Sequence, residues 1–102
     1  MDVLEKAQEY FKQIGYGHIN AILRPSHPDV DRTFRGLVEW ANNNGDCIIN
    51  VGDGYYRPVP KDPVDALEFR QYLSMESARA NKITRKHNRM KAAFKAGKER
   101  KE

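Results

Sequence analysis

Nine basic residues stand where cations could do chemistry, and the chemistry they suit is the binding of anions. Arg32 and Arg35 lie three apart on a stretch of helical period, Arg24 precedes a proline-rich link, and Arg57 follows the aromatic pair Tyr55-Tyr56. Arg79, Lys82, Arg85, Lys86 and Arg89 share one arc of a second helical stretch at 100° per residue. Groups of this kind meet phosphates, and arginine also reads base edges. No constellation for covalent chemistry accompanies them. There is no G-x-G-x-x-G, no P-loop, no H-E-x-x-H and no pair of cysteines, so neither catalysis, cofactor nor metal is expected. His18, His27 and His87 fall in separate stretches, where capping, turn and seam roles account for them. Asp29 suits a helix cap, since first-turn acids match the helix dipole, and Asp31 has no assigned role.

The elements that position these residues read clearly. Residues 26–58 hold one capped helix and one tight hairpin. Ser26 and Asp29 stand in S-x-x-D order around Pro28, so a capping side chain, a first-turn proline and an acidic first turn coincide. Val30, Phe34, Leu37, Val38 and Ala41 form an apolar face at i, i+4, i+7, i+8 and i+11, with Trp40 on its flank. Asp31, Arg32, Arg35, Glu39 and Asn42 are left for solvent or a ligand. Asn42 to Gly45 tolerate the left-handed backbone that ends helices. Cys47, Ile48, Ile49 and Val51 then make a β run, Gly52-Asp53-Gly54 is turn chemistry, and Tyr55-Tyr56 begins a return strand limited by Pro58. By strand alternation only one of the two tyrosines is expected in a core. Cys47, the single cysteine, sits in the most apolar run and is expected to be buried.

Before this stretch, Val3, Leu4, Ala7, Tyr10, Phe11 and Ile14 predict an amphipathic helix over 2–14, ended by Gly15. His18 to Arg24 reads as a short helix, with a short strand as the alternative. The core is expected where Phe34, Leu37, Val38 and Ala41 meet Leu4, Ala7, Phe11 and Ile48. After it, Pro58, Pro60 and Pro63 punctuate the exit, Asp62 can cap, and nothing breaks helix from Val64 to about Ala96. That helix would reach roughly 50 Å at 1.5 Å per residue, so it must project or pair. Phe69, Leu73, Glu76, Ala80, Ile83, His87, Met90 and Phe94 trace a coiled-coil seam interrupted by Glu76 and His87.

Charge is divided along the chain. Ten Lys or Arg against two Glu give residues 79–102 a net +8, which leaves residues 1–78 at −4 within the overall +4. A basic tail of this kind suits nucleic acid and equally suits a solvated helix face. A compact part of about 60 residues buries little surface, so a partner chain is a plausible source of stability. No apolar stretch approaches the roughly 18 residues of a membrane span, and the chain is expected in the cytoplasm, with no membrane contact.

The run D-R-T-F-R-G-L-V-E-W-A-N-N-N-G-D-C-I-I-N-V-G-D-G-Y-Y-R-P, Asp31 to Pro58, resembles the third helix and wing of small phage-type winged helix-turn-helix proteins. Residues 63–98 resemble the long charged C-terminal helix those proteins often carry. The departure is at Leu23 to Pro28, a proline-rich link where the resembled pattern has a longer second helix and a regular turn. The resemblance implies a mainly α fold with a small β-hairpin: a winged helix-turn-helix domain over 1–60, then a long basic helix and tail over 61–102. It implies a non-enzymatic protein that binds double-stranded DNA, a phage or prophage transcriptional regulator or replication accessory. The alternatives are a module that holds a protein partner or a second copy through its C-terminal helix, and an RNA-binding protein that uses the basic helix.

Overall fold

A computed structural model describes residues 2–52, 54–77 and 83–100, without the side chains of 77, 83–85 and 97–100. Its elements are α1 (Val3–Lys12), a 3-10 turn (His18–Asn20), β1 (Ile22–Leu23), α2 (Pro28–Asn43), β2 (Ile49–Val51), β3 (Gly54–Tyr56), α3 (Pro63–Ser77) and α4 (Ile83–Arg100). The chain is mainly helical with a small three-stranded antiparallel sheet. Asp2 caps α1 reciprocally: its carboxylate accepts from Glu5 N at 2.8 Å, and the Glu5 carboxylate accepts from Asp2 N at 3.1 Å. Ala7 and Ile14 are buried, and Tyr10 and Phe11 pack against the same core. Leu4, expected inside, is half-exposed, because burial starts one turn further along the helix.

Residues 18–24 are not the expected short helix. Gly17, at φ 92°, turns the chain into the 3-10 turn, and Ile22 and Leu23 then pair with Tyr55 and Gly54 of β3. Pro25 would have ended a helix here after barely two turns, whereas the ladder offers Ile22 and Leu23 partners at once. The α2 cap also differs. His27, rather than Ser26 or Asp29, holds the N-cap position, and its Nδ1 accepts from Asp29 N at 3.2 Å with Pro28 opening the helix. At the far end Asn42, expected in solvent, is fully buried. Its amide donates to Ile48 O at 2.9 Å and accepts from Ile48 N at 2.7 Å, so one side chain serves β2 as a strand neighbour would.

The sheet order is β1-β3-β2, which makes β3 central although it closes the hairpin. Tyr55 and Tyr56 point to opposite faces, and both are buried, against the expectation for only one. Each face has its own core. Tyr55 joins Ala7, Ile14, Val30, Phe34, Val38, Ala41 and Ile48, with its ring edge-on to Phe34 at 4.9 Å. Tyr56 joins Cys47, Ile49, Phe69, Tyr72 and Met90 on the other side. Phe34 is completely enclosed, and truncating such a ring to Ala costs about 3–5 kcal/mol. Gly54 leaves no choice of residue on β3, since a Cβ there would sit 2.9 Å from the Ala21 Cβ.

The expected single long helix is replaced by two helices that fold back on each other. The rings of Phe69 in α3 and Phe94 in α4 lie 4.4 Å apart, whereas 25 residues of straight helix would hold them roughly 37 Å apart. Asp62 caps α3, accepting from Val64 N at 2.9 Å. The seam residues Phe69, Leu73, Met90 and Phe94 meet within the chain, on the second face of the sheet. Ala80 lies outside the described residues, as does the side chain of Ile83. The two polar interruptions of the seam complete each other: Glu76 and His87 pair at 3.0 Å. The second core therefore spans both sides of residue 60, with Tyr56 and Phe69 in one cluster.

Candidate nucleic-acid interface

With its inner face committed to Phe34, Val38 and Ala41, α2 turns the stripe of Arg32, Arg35, Gly36, Glu39 and Trp40 outward. The Arg32 and Arg35 side chains are 74% and 54% exposed. Each is steadied from its own helix, Arg32 by Asp29 at 3.4 Å and Arg35 by Asp31 at 3.2 Å. The Arg32–Asp29 pair is exposed on both sides and such pairs hold about 0–1 kcal/mol, whereas the Asp31 that holds Arg35 is itself only 14% exposed. Arg24 is exposed just after β1. Burial, and then the Asp31 carboxylate, push the Tyr55 hydroxyl above its ordinary range, while Arg35 and Arg24 oppose the shift. Asp31 Oδ1 is buried there without a hydrogen-bond partner.

Two further features of this stripe carry a cost the fold does not explain. Gly36 sits mid-helix, where glycine is about 0.5–1 kcal/mol worse than alanine. A Cβ added there meets nothing within 4 Å. Trp40 is 65% exposed although its ring is the largest apolar group in the chain. Sequence reasoning put Trp40 on the flank of the apolar face and left Gly36 without comment.

Other residues read as nucleic-acid contacts turn inward. Arg57 donates from Nε and Nη2 to the two Asp46 oxygens, both at 2.8 Å, and from Nη1 to Ile14 O at 2.5 Å. It also lies over the Tyr16 ring at 5.9 Å. This guanidinium ties the end of α1, the α2–β2 link and the hairpin exit together. Lys86 is 4% exposed, and its ammonium pairs with Glu39 and Glu76, each at 2.9 Å. Arg89 donates to the Asn43 carbonyl at the end of α2. Arg79 and Lys82 lie outside the described residues, as does the Arg85 side chain. Among the described side chains of α4 the exposed cations are Arg89, Lys91 and Lys95. The last two become visible as outward residues only once the seam is known to fold back against the sheet.

Glu76 gathers this second network. Burial pushes its carboxyl up, but hydrogen bonds from Lys86 and His87, the Lys86 charge and the Tyr72 hydroxyl at 2.9 Å outweigh that and hold it below the ordinary value. The network seats α4 against both α3 and α2.

A third polar group staples the 3-10 turn to α3. Asp65 is fully buried, and its Oδ1 accepts from His18 N at 3.0 Å and His18 Nδ1 at 2.6 Å, while Oδ2 accepts from Val59 N at 2.8 Å. Asp62 stands 3.6 Å from the imidazole. These three side chains offer ligand-type atoms within 4.8 Å of one another, but Asp65 spends both oxygens on backbone and imidazole donors. The arrangement works as a clamp. The Asp65 hydrogen bond, against a smaller opposing effect of burial and with help from the Asp62 charge, raises the His18 pKa above its ordinary 6.5.

Scans of the chain against protein-family models, curated proteins and solved structures return no match. Among the described residues no helix is long and apolar enough to cross a membrane.

Two outcomes are expected from these networks. Lys86→Ala removes a buried cation from two carboxylates and should cost about 3–5 kcal/mol in urea unfolding. Lys91→Ala and Lys95→Ala should move stability by less than about 0.5 kcal/mol. A Lys86→Ala chain as stable as the wild type would show that the buried pairing holds nothing. For His18 the stabilised form is the imidazolium. Its contribution is complete below pH 6.5 and is lost as pH rises through the raised folded value. An NMR titration should put the His18 midpoint above 6.5, and His18→Gln should remove the matching fall in stability on the alkaline side; a midpoint at or below 6.5 contradicts the clamp.

Proposed function

We propose that this chain is a non-enzymatic protein that binds double-stranded DNA through a winged helix-turn-helix arrangement, with α2 as recognition helix and the β2–β3 hairpin as wing. The observation that carries the reading is the presentation of Arg32 and Arg35. They stand on the outward face of the helix that enters the hairpin, more than half exposed and paired only within their own helix, to Asp29 and Asp31. A helix offering guanidinium groups from its N-terminal half is the usual reader of major-groove base edges. The element order supports the reading too, since β1 completes the sheet beside the hairpin and the hairpin follows α2 directly. The chain differs in having no helix between β1 and α2. Residues 24–27 alone make that link, and Arg24 stands exposed in it.

In this reading the jobs divide. Arg32 and Arg35 discriminate sequence, and Arg24 adds a phosphate contact at the α2 entrance. On α4, Arg89, Lys91 and Lys95 add sequence-independent attraction. Arg57 and Lys86 hold the frame and do not meet DNA. The setting suggested by the resemblance is a phage or prophage regulator or replication accessory. A protein-holding module is the second reading. It is favoured by the net −4 of residues 1–78 and by an outward stripe on α3 in which Val64, Leu67 and Met75 are exposed.

Anisotropy titrations with a random duplex at several salt concentrations test this directly. Binding should weaken linearly on a log–log plot of affinity against salt. Lys91→Ala with Lys95→Ala should flatten that slope, while Arg32→Ala with Arg35→Ala should remove about 1–3 kcal/mol of sequence discrimination per lost contact. Absence of binding at low salt, together with a mass that rises with protein concentration, would favour the protein-holding module instead. Preference for duplex RNA over duplex DNA would move the function to RNA.

A further inference from the structure

Gly36 lies one helical turn from Arg32 and one from Trp40, and the three fall within about 80° of one another around α2. Nothing in the chain asks for glycine there. Its φ is not positive, so the backbone is open to any residue, and the space above it is empty. The residues around it are Arg32, Thr33, Arg35, Leu37, Glu39 and Trp40, of which Arg32, Arg35, Glu39 and Trp40 are exposed. On its α1 side Trp40 also borders a groove with Gln8, Phe11, Lys12 and Leu37, so the bare backbone at Gly36 lies between that apolar edge and the arginines. Two guanidinium groups on one side of a bare stretch of helix backbone suit a polyanion that must come close.

We propose that Arg32, Gly36 and Trp40 form the line along which α2 lies in the major groove, with Gly36 at the closest approach and Trp40 against the deoxyribose-phosphate wall. The inference rests on the DNA-binding reading above and adds to it the depth of insertion. A methyl group at position 36 would hold the helix off the base edges, so the arginine contacts would lengthen although neither arginine is changed. Glu39, on the same stripe, shares the Lys86 ammonium with Glu76, which offsets part of its repulsion of phosphate.

The test is Gly36→Ala and Gly36→Leu in the full chain, measured for melting temperature and for affinity to a duplex by anisotropy. Trp40 is the only tryptophan, so its emission reports contact at the stripe without a label. Alanine should raise the melting temperature by a few degrees, because the helix gains and nothing is displaced. It should also weaken duplex binding by about 5- to 100-fold, the size of one lost base contact, and leucine should weaken it more. In the wild type, added duplex should quench or shift the Trp40 emission. Suppose binding is lost in Arg32→Ala with Arg35→Ala, yet Gly36→Ala binds as the wild type does and Trp40 emission stays unchanged: the close-approach line is then wrong while the DNA reading stands. A wild type that ignores duplex at low salt sinks both. Loss of stability in Gly36→Ala would show that the fold itself needs the glycine, and self-association abolished by Gly36→Ala would make the site a contact between copies; either overturns the proposal.

Discussion

The constraint on which the structure depends is the alternation of a strand three residues long. Tyr55 and Tyr56 are adjacent on β3, so their rings must leave the sheet on opposite sides, and both are buried. Three strands of two or three residues have no independent stability, so both faces need cover. One cover is α1 with α2, the other is α3 with α4. The central place of β3 follows as well, because an edge strand would leave one ladder side open beside two large rings. Once Phe34 is held edge-on to Tyr55, the azimuth of α2 is set, and its polar stripe has only solvent to face. The direction of Arg32 and Arg35 is thus a consequence of packing on the far side of the helix.

Links between the elements are made by buried polar groups that bridge long sequence separations. Asn42 fastens α2 to β2 through both atoms of its amide, Arg57 fastens α1 to the hairpin exit, and Asp65 fastens the 3-10 turn to α3. Each joins a side chain to backbone groups that no ladder or helix satisfies, and leaving one such group unpaired costs about 1–3 kcal/mol. In a domain this small that is a substantial part of the whole stability. The frame is stiff where these staples act, and it surrounds the hairpin and the α2 terminus.

Local period made most elements legible. The helix expected over 28–43 is α2 (Pro28–Asn43), and the one expected over 2–14 contains α1 (Val3–Lys12), because caps and apolar period agree in both. The fold-back of the C-terminal half was hidden because residues 64–96 contain neither Gly nor Pro, and their composition favours helix throughout. The trace of it was present in Glu76 and His87, polar residues in an apolar seam, which are complementary to each other and eleven residues apart. Arg57 and Lys86 show the other limit. A basic residue announces charge and not direction, and the acids that capture these two, Asp46 and Glu39, are distant in sequence and become neighbours only through the fold. Arg32 and Arg35 were legible as outward residues because the apolar face opposite them is continuous.

The central claim is that one short strand organises two cores into a single cooperative unit. Native-state hydrogen exchange tests it most directly, since it measures the opening free energy of each amide. The account predicts that the amides of Tyr55 and Tyr56 share one high opening free energy with those of Phe34 and Val38 in α2, Phe69 and Tyr72 in α3, and Met90 in α4. Exchange of the α3 and α4 amides at rates near those of an unfolded chain, while β3 and α2 stay protected, would contradict it, because the second face of the sheet would then be uncovered and Tyr56 would have no core to enter.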